Sequence, residues 1–231
     1  MQEKLRIAEP DSLDGLDQLQ RQVWNCSETD IIPSHLLKAQ QKHGACLLCA
    51  WQAEEIVGFV YAFPTGTTDP KSPYLYSHLA AVRPEFQGQG IGRQLKLAQA
   101  DWARQRGYQR LVWTYDPLQA ANASLNIGRL GATCRRYLVN YYGDLDDDLN
   151  RGVATDRFEV DWWLNVPRPN RQPSELEPIS FPWPLPPASK QDWRLKTRAQ
   201  FQQAFDSGLS VLDFQVKDGQ ATYWLGVFSE D

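Results

Sequence analysis

Methionine is almost missing from this chain of 231 residues: its single copy is Met1, whereas tryptophan occurs nine times. Cysteine and histidine are also scarce, at Cys26, Cys46, Cys49 and Cys134 and at His35, His43 and His78. A zinc site needs four ligands in paired spacings, and a single close cysteine pair does not supply them, so no metal site is expected. Cys46 and Cys49 have redox spacing, but they lie in the apolar run from Ala45 to Ala53, which reads as a strand. Residues three apart in a strand face opposite sides, so buried, divergent thiols are expected there. No run of eighteen apolar residues is present, which excludes a helical bilayer span as a reading. An excess of basic charge is lacking too: 24 Lys and Arg stand against 28 Asp and Glu, a net charge of −4. That balance argues against a nucleic-acid or anionic-membrane partner held by bulk electrostatics. The first residues, Met-Gln-Glu-Lys-Leu-Arg, lack the apolar stretch and small-residue site of a signal peptide, so a soluble cytoplasmic protein is expected. What remains is a chain long enough to bury roughly 70–75% of its unfolded surface without a covalent or metal staple.

Periodicity supplies the elements. Arg6–Glu9 reads as a short strand, and Leu13, Leu16, Leu19, Val23 and Trp24 fall at helical spacing after it. A second helix is expected from Ser34 to near Gly44, then a hairpin of Ala45–Ala53 with Ile56–Phe63. Tyr74–Val82 reads as a strand, a helix runs from Gly90 to Gly107, and Arg110–Tyr115 is a strand. Gln119–Leu130 reads as a helix, and Thr133–Tyr142 with Phe158–Leu164 as a hairpin across a polar loop. Eight of the fifteen prolines then fall between Pro167 and Pro187, which marks a linker or an extended strap. Beyond it Trp193–Phe205 reads as a helix, and Leu209–Val216 with Ala221–Phe228 as a hairpin around Lys217-Asp218-Gly219. The expected organisation is a domain over residues 1–166, a Pro-rich strap over 167–188, and a helix-hairpin extension over 189–231 packed on the main domain. The fold class is α/β, with a mixed sheet flanked by helices.

A strand leading through a glycine-rich turn into a helix offers free backbone N–H groups and a positive helix end to phosphate. Here that turn is Gln87-Gly88-Gln89-Gly90-Ile91-Gly92. A P-loop would need Lys-Ser or Lys-Thr after the last glycine, whereas Arg93-Gln94 follows Gly92. A dinucleotide fingerprint fits the glycine spacing poorly, although Asp116 after the next strand could serve as its ribose-binding acid, and that reading stays open.

The pattern Gln87-x-x-Gly90-x-Gly92, after a strand ending in Val82-Arg83-Pro84-Glu85, resembles the signature of the GNAT superfamily of acyl-CoA-dependent N-acyltransferases. The order of elements over about residues 4–165 is similar to the GNAT fold. Ser77-His78, Asp116-Pro117-Leu118, Asn122-Ala123, Leu130-Gly131 and Val139-Asn140-Tyr141-Tyr142-Gly143 look like a GNAT subfamily labelled "predicted GNAT acetyltransferase". The resemblance implies that acetyl-CoA or another acyl-CoA is the co-substrate, its pyrophosphate on Gln87, Gly88, Gln89, Gly90, Ile91 and Gly92 with Arg93 nearby. It further implies that the pantetheine arm pairs with Leu79, Ala80, Ala81 and Val82, that Ala81 or Val82 N–H polarises the acyl carbonyl, and that Asn122 contacts CoA. Family members often draw a general base from the strand before the signature, which makes His78 the first candidate and Tyr76 the second. Strand side chains alternate, so both are expected on one face with Val82. A histidine held only for structure is the other reading of His78. The family's usual acid, a tyrosine three residues before the Leu-Gly that ends the following helix, is replaced here by Ile127. Tyr115, Tyr137 or water would then protonate the thiolate, or acyl-CoA is bound without turnover.

The acceptor is expected to be the amine of a small molecule or peptide, with Asp144, Asn150, Arg151, Asp156 and Arg157 of the late loop as candidate substrate-binding residues. Acidic groups there would hold an ammonium and the arginines a carboxylate; a solvated loop tied by Asp156 and Arg157 is the plainer reading. A homodimer is compatible with these features. Three functions stay open: an acyltransferase, a non-catalytic acyl-CoA-binding or partner-binding module, and a nucleotide- or dinucleotide-binding protein. Trp162, Trp163, Trp183, Trp193 and Trp224 are expected to attach the C-terminal extension to its domain.

Overall fold

The computed structural model describes residues 5–25, 27–65, 73–143, 145, 150, 152–166 and 176–228. The chain divides into two compact units, residues 1–112 with 146–149, and residues 113–145 with 150–231. That division falls inside the span which the proline-rich composition break assigns to one domain.

In the first unit the strands β1 (Arg6–Ala8), β2 (Cys46–Gln52), β3 (Glu55–Pro64) and β4 (Tyr74–Val82) pair antiparallel in sequence order. The start of β5 (Arg110–Tyr115) adds parallel to β4 over Tyr74–Tyr76. Two helices, α1 (Leu16–Trp24) and α2 (Ser34–Lys42), cover one face of this sheet. Leu16, Leu19 and Leu37 bury there against Leu47, Cys49, Phe59, Tyr61 and Ala81. Gln20, buried inside α1, satisfies both of its amide groups on the backbone of Ile32, at 3.1 and 3.0 Å, and so fixes the approach to α2. The 15-residue α3 (Ile91–Gln105) covers the other face with Ile91, Leu95, Ala100 and Ala103. Its Trp102 is buried and donates to Glu9 at 2.6 Å.

Gly58 of β3 shows how closely these layers meet. A Cβ there would lie 2.7 Å from the Ala81 carbonyl oxygen and 3.2 Å from a Leu95 methyl. Glycine at this position lets β3 and α3 close on the end of β4.

The second unit contains the rest of β5, the short α4 (Ala120–Ala123) continuing as a π-helical turn over Ser124–Arg129, and β6 (Thr133–Leu138) paired with β7 (Arg157–Trp163). The C-terminal residues extend the same sheet: β8 (Glu177–Pro182), β9 (Ser210–Lys217) and β10 (Gln220–Gly226) give the order β5-β7-β6-β9-β10-β8. The proline-rich segment thus contributes an edge strand, where missing N–H donors are tolerated. Helix α5 (Lys190–Asp206) supplies Phe201, fully buried among the rings of Phe158, Tyr137, Phe205 and Tyr223.

Four of the five tryptophans expected to attach the extension stand at the margin of this core. Trp183, Trp193, Trp224 and Trp163 are only half-buried, and of the five only Trp162 is buried, edge-on to Trp113. Phenylalanine and tyrosine fill the centre because Phe158 has five aromatic neighbours within 6 Å, a density that planar six-membered rings reach with less volume.

Candidate functional site

From Val82 the chain passes through a short 3-10 turn at Pro84–Phe86 and enters α3 through the glycine run. Gly88 and Gly90 have φ of +76° and +81°, and Gly90 is the N-cap residue of α3. That left-handed backbone favours glycine. A Cβ at either position would meet nothing within 4 Å, so the space above the turn is open. Gln87 donates its amide to the Val82 carbonyl at 3.0 Å and Gln89 to the Glu85 carbonyl at 3.3 Å, which fastens the turn to the strand end. Gln87, Gly88, Gln89 and Arg93 are exposed, while Ile91 is buried and anchors the helix start. The first-turn N–H groups at Ile91, Gly92 and Arg93 have no carbonyl one turn earlier in the helix, and the positive end of the helix dipole lies with them. An open, glycine-lined cradle at such a helix start fits a diphosphate.

The strand before this turn is irregular in a way that decides where the candidate base points. Leu79 pairs with Tyr61 and Ser77 with the next residue, Ala62, so His78 is an extra residue in β4, a β-bulge. Beyond the bulge Val82 shares a face with Gly58 and Leu95, the side covered by α3. Before it, Ser77 turns toward α3, whereas Tyr76 pairs with Phe63 on the opposite face. The imidazole of His78 lies 6.0 to 6.3 Å from the rings of Phe63, Tyr76 and Tyr61. His78 and Tyr76 are therefore together, but on the α1/α2 face and not on the face of Val82. The expected common face is corrected because one inserted residue inverts the alternation. His78 retains an exposed edge, and burial of the rest of its ring pushes the imidazole below its ordinary pKa. It is neutral at neutral pH and able to accept a proton. Tyr61 donates to Gln40 of α2, and burial pushes its hydroxyl up to about 12. Tyr61 and Phe63, which frame His78, were not singled out from sequence; their alternation in the strand opposite Tyr76 and His78 was the available signal.

Other sequence candidates lie in the second unit. Asn122 is exposed on α4. Asp144 and Arg151 lie outside the described residues. Asp156 is fully buried: its oxygens accept from Tyr137 at 2.7 Å, from the Asn140 backbone at 3.0 Å and from Arg198 at 2.8 and 2.9 Å. Arg157 is buried over the ring of Tyr142 and donates to Asn150 at 2.9 Å. Asn150, Asp156 and Arg157 thus tie the loop internally. Tyr137 is committed to Asp156, and Tyr115 is buried against the hydroxyl of Tyr223 at 3.2 Å. Burial raises both phenols well above their ordinary range, so neither is a ready acid. Asp116, the acid that a dinucleotide reading needs, is buried and gives both oxygens to Arg194 at 2.5 and 2.8 Å. With four antiparallel strands ahead of the turn, that reading loses both its acid and its parallel sheet. Cys46, Cys49 and Cys134 are buried free thiols, and the described residues contain no cluster of three metal-ligating side chains. No helix among the described residues is long and apolar enough to cross a membrane.

Residues 13–125 match the family model of the acetyltransferase (GNAT) family. That segment, just under half of the chain, is a GNAT acetyltransferase domain. Solved GNAT structures superpose on the chain at low identity. The ribosomal-protein-S18-alanine N-acetyltransferase of Escherichia coli is 18% identical with a TM-score of 0.51, covering 73% of this chain and 99% of its own. NAA60 of Arabidopsis thaliana, solved with a bisubstrate analogue, is 16% identical with a TM-score of 0.56, covering 70% of this chain and all of its own. YncA of Salmonella typhimurium, a putative acetyltransferase solved with acetyl-CoA, is 17% identical with a TM-score of 0.56 over 73% of this chain and 98% of its own. No curated protein sequence matches the chain. Each of these neighbours is matched almost end to end while more than a quarter of this chain stays uncovered, so the chain carries residues beyond the shared fold.

Proposed function

We propose that this chain transfers an acyl group, most simply acetyl, from acyl-CoA to the amine of a small molecule or peptide by direct attack in a ternary complex. The observation that carries the reading is the joining, within one unit, of the glycine cradle at the start of α3 to the bulge that carries a neutral, partly exposed His78. Acetyl-CoA in a neighbour of the same fold, and acceptors of peptide type in others, support it. The diphosphate of CoA lies on the N–H groups from Gln87 to Gly92 with Arg93 beside it. The pantetheine arm runs along Leu79–Val82, at the end of β4 away from its ladder with β5. His78 takes a proton from the acceptor amine as the new carbon–nitrogen bond forms and the carbon–sulfur bond breaks. The N–H of Ala81 or Val82 receives the developing charge on the carbonyl oxygen. CoA leaves as thiolate and is protonated by water; a thiol pKa of about 8.5 makes this adequate at neutral pH without the family's tyrosine. Tyr61, Phe63 and Tyr76 form an aromatic surround for the acceptor amine, while Asn150, Asp156 and Arg157 act as loop framework.

Thermal shift against acetyl-CoA, longer acyl-CoAs, CoA and NAD(P) tests the donor site. Stabilisation by CoA species is expected, and a response to dinucleotides alone overturns the reading. With an amine panel scored by thiol release, His78→Ala should lower kcat by roughly 10²–10⁴-fold with acyl-CoA binding intact. Tight acyl-CoA binding with no thiol release for any amine would instead support the non-catalytic module.

A further inference from the structure

Lys96 of α3 is buried beneath the sheet directly under the bulge. Its ammonium donates to the Ser77 hydroxyl at 2.7 Å and reaches Gln99 Oε1 at 3.4 Å, while Ser77 donates to the same Gln99 oxygen at 2.8 Å. All three side chains are at most 4% exposed. Ser77, Ala62 and Cys46 form one cross-strand row on this face, and the small Ala62 leaves room for the lysine stem. Ser77 is the residue immediately before His78. Its position sets where the extra residue of β4 emerges on the other side.

We infer that Lys96 is a positioning residue for acyl transfer: through Ser77 it pins the bulge that presents His78, and so couples the base to the helix whose start forms the glycine cradle. The inference rests on the proposed role of His78. A leucine or methionine would fill the volume without the cost of burying an ammonium, so filling space does not account for a lysine here. Tethering does: Lys96 lies less than two turns after Gly90, so a short charge-assisted hydrogen bond ties Ser77 to the start of α3. Burial brings the lysine down to about 7, so its charge changes near neutrality and the hydrogen-bond pattern around Ser77 changes with it. Cys46 of β2 is a titratable group beside it, and that thiol is pushed up to about 12, so it is uncharged where the lysine titrates. From α3 and β4 the facing groups are the uncharged Gln99 and Ser77.

The chain has three histidines, and His35 and His43 are exposed, so His78 can be followed by heteronuclear NMR of the imidazole C–H signals, assigned with His78→Gln. In the wild-type chain the His78 signals should show a second inflection from Lys96 in addition to their own. That inflection should vanish in Lys96→Met and in Ser77→Ala. His78 curves that coincide in wild type and both variants overturn the inference, and Ser77→Ala alone decides it if Lys96→Met does not fold. In turnover, Lys96→Met should lower kcat by roughly ten- to a hundredfold with KM for acyl-CoA unchanged, and Lys96→Gln, which can still hydrogen-bond Ser77, should restore most of it. Equal kcat in Lys96→Met and wild type also overturns it. Because the NMR readout needs no turnover, loss of the second inflection in a chain that acylates no amine refutes the proposed reaction and leaves the tether standing.

Discussion

Removing the carboxylate charge of Asp116 should destabilise the second unit more than removing its partner, and the asymmetry follows from the surroundings of each. Arg194 is fully buried and Asp116 nearly so, joined by two hydrogen bonds at 2.5 and 2.8 Å. In Asp116→Asn the guanidinium stays buried with its main counter-charge gone, a loss of about 3–5 kcal/mol for a broken buried pair. In Arg194→Met the carboxylate keeps the Leu118 N–H at 2.9 Å and Lys190 at 3.8 Å, so the cost falls at or below the lower end of that range. The double change Asp116→Leu with Arg194→Met removes both charges and should cost less than Asp116→Asn alone. Denaturant unfolding, read together with hydrogen exchange of residues 190–206, measures all three. A cost below about 1 kcal/mol for Asp116→Asn, or a double variant equal to the sum of the singles, would refute the reasoning. Acid supplies a second check. Burial raises the Asp116 carboxyl, but the hydrogen bonds and charge of Arg194, with Leu118 and Lys190, outweigh it and hold the folded pKa below the ordinary value. The unfolded chain then binds the proton more readily, so this stability is present above the ordinary aspartate range and is lost as pH falls through the lower folded value.

Further outcomes follow from single contacts. Lys96 has a folded pKa of about 7 against an ordinary 10.5, so the unfolded chain binds more protons between those values and wild-type stability relative to Lys96→Met should rise with pH there. Unfolding at pH 7 and pH 8 should differ by about 1 kcal/mol in that comparison, and a flat difference refutes the burial of the charge. Gly58→Ala puts a methyl 2.7 Å from the Ala81 carbonyl oxygen and should cost about 1–3 kcal/mol in denaturant while weakening acyl-CoA binding; an unchanged midpoint contradicts the close approach. Phe201→Ala should cost about 3–5 kcal/mol, because its ring fills the centre of the second unit, and a cost under 1 kcal/mol would show that the cluster repacks. Burial pushes Cys46 and Cys49 up to about 12 and Cys134 well above its ordinary value, so at most one of the four thiols should react with a thiol reagent at pH 8 in the native state; prompt labelling of more contradicts their burial.

Local chemistry was readable from the chain alone wherever a local rule decides the outcome. Strands Tyr74–Val82 and Arg110–Tyr115, and the glycine turn that caps α3, follow from apolar runs, turn residues and positive-φ glycines, all of which act over a few neighbours. The donor cradle is of this kind. The face on which His78 stands is not, because a bulge is defined only by register with a second strand, and one extra residue against Tyr61 and Ala62 reverses the alternation that sequence implies. Charges followed the same division. Asp156 and Arg157 in a polar loop read either as ligand groups or as ties of the loop, and only the fold shows Arg198, 42 residues on, taking up the carboxylate, while Asp116 finds its partner 78 residues away in Arg194. Sequence determined which residues could carry charge, bend the chain or enter a core. Tertiary structure decided which charges were already spent on one another, because pairing depends on distance in space and a buried charge is stable only beside its counter-charge.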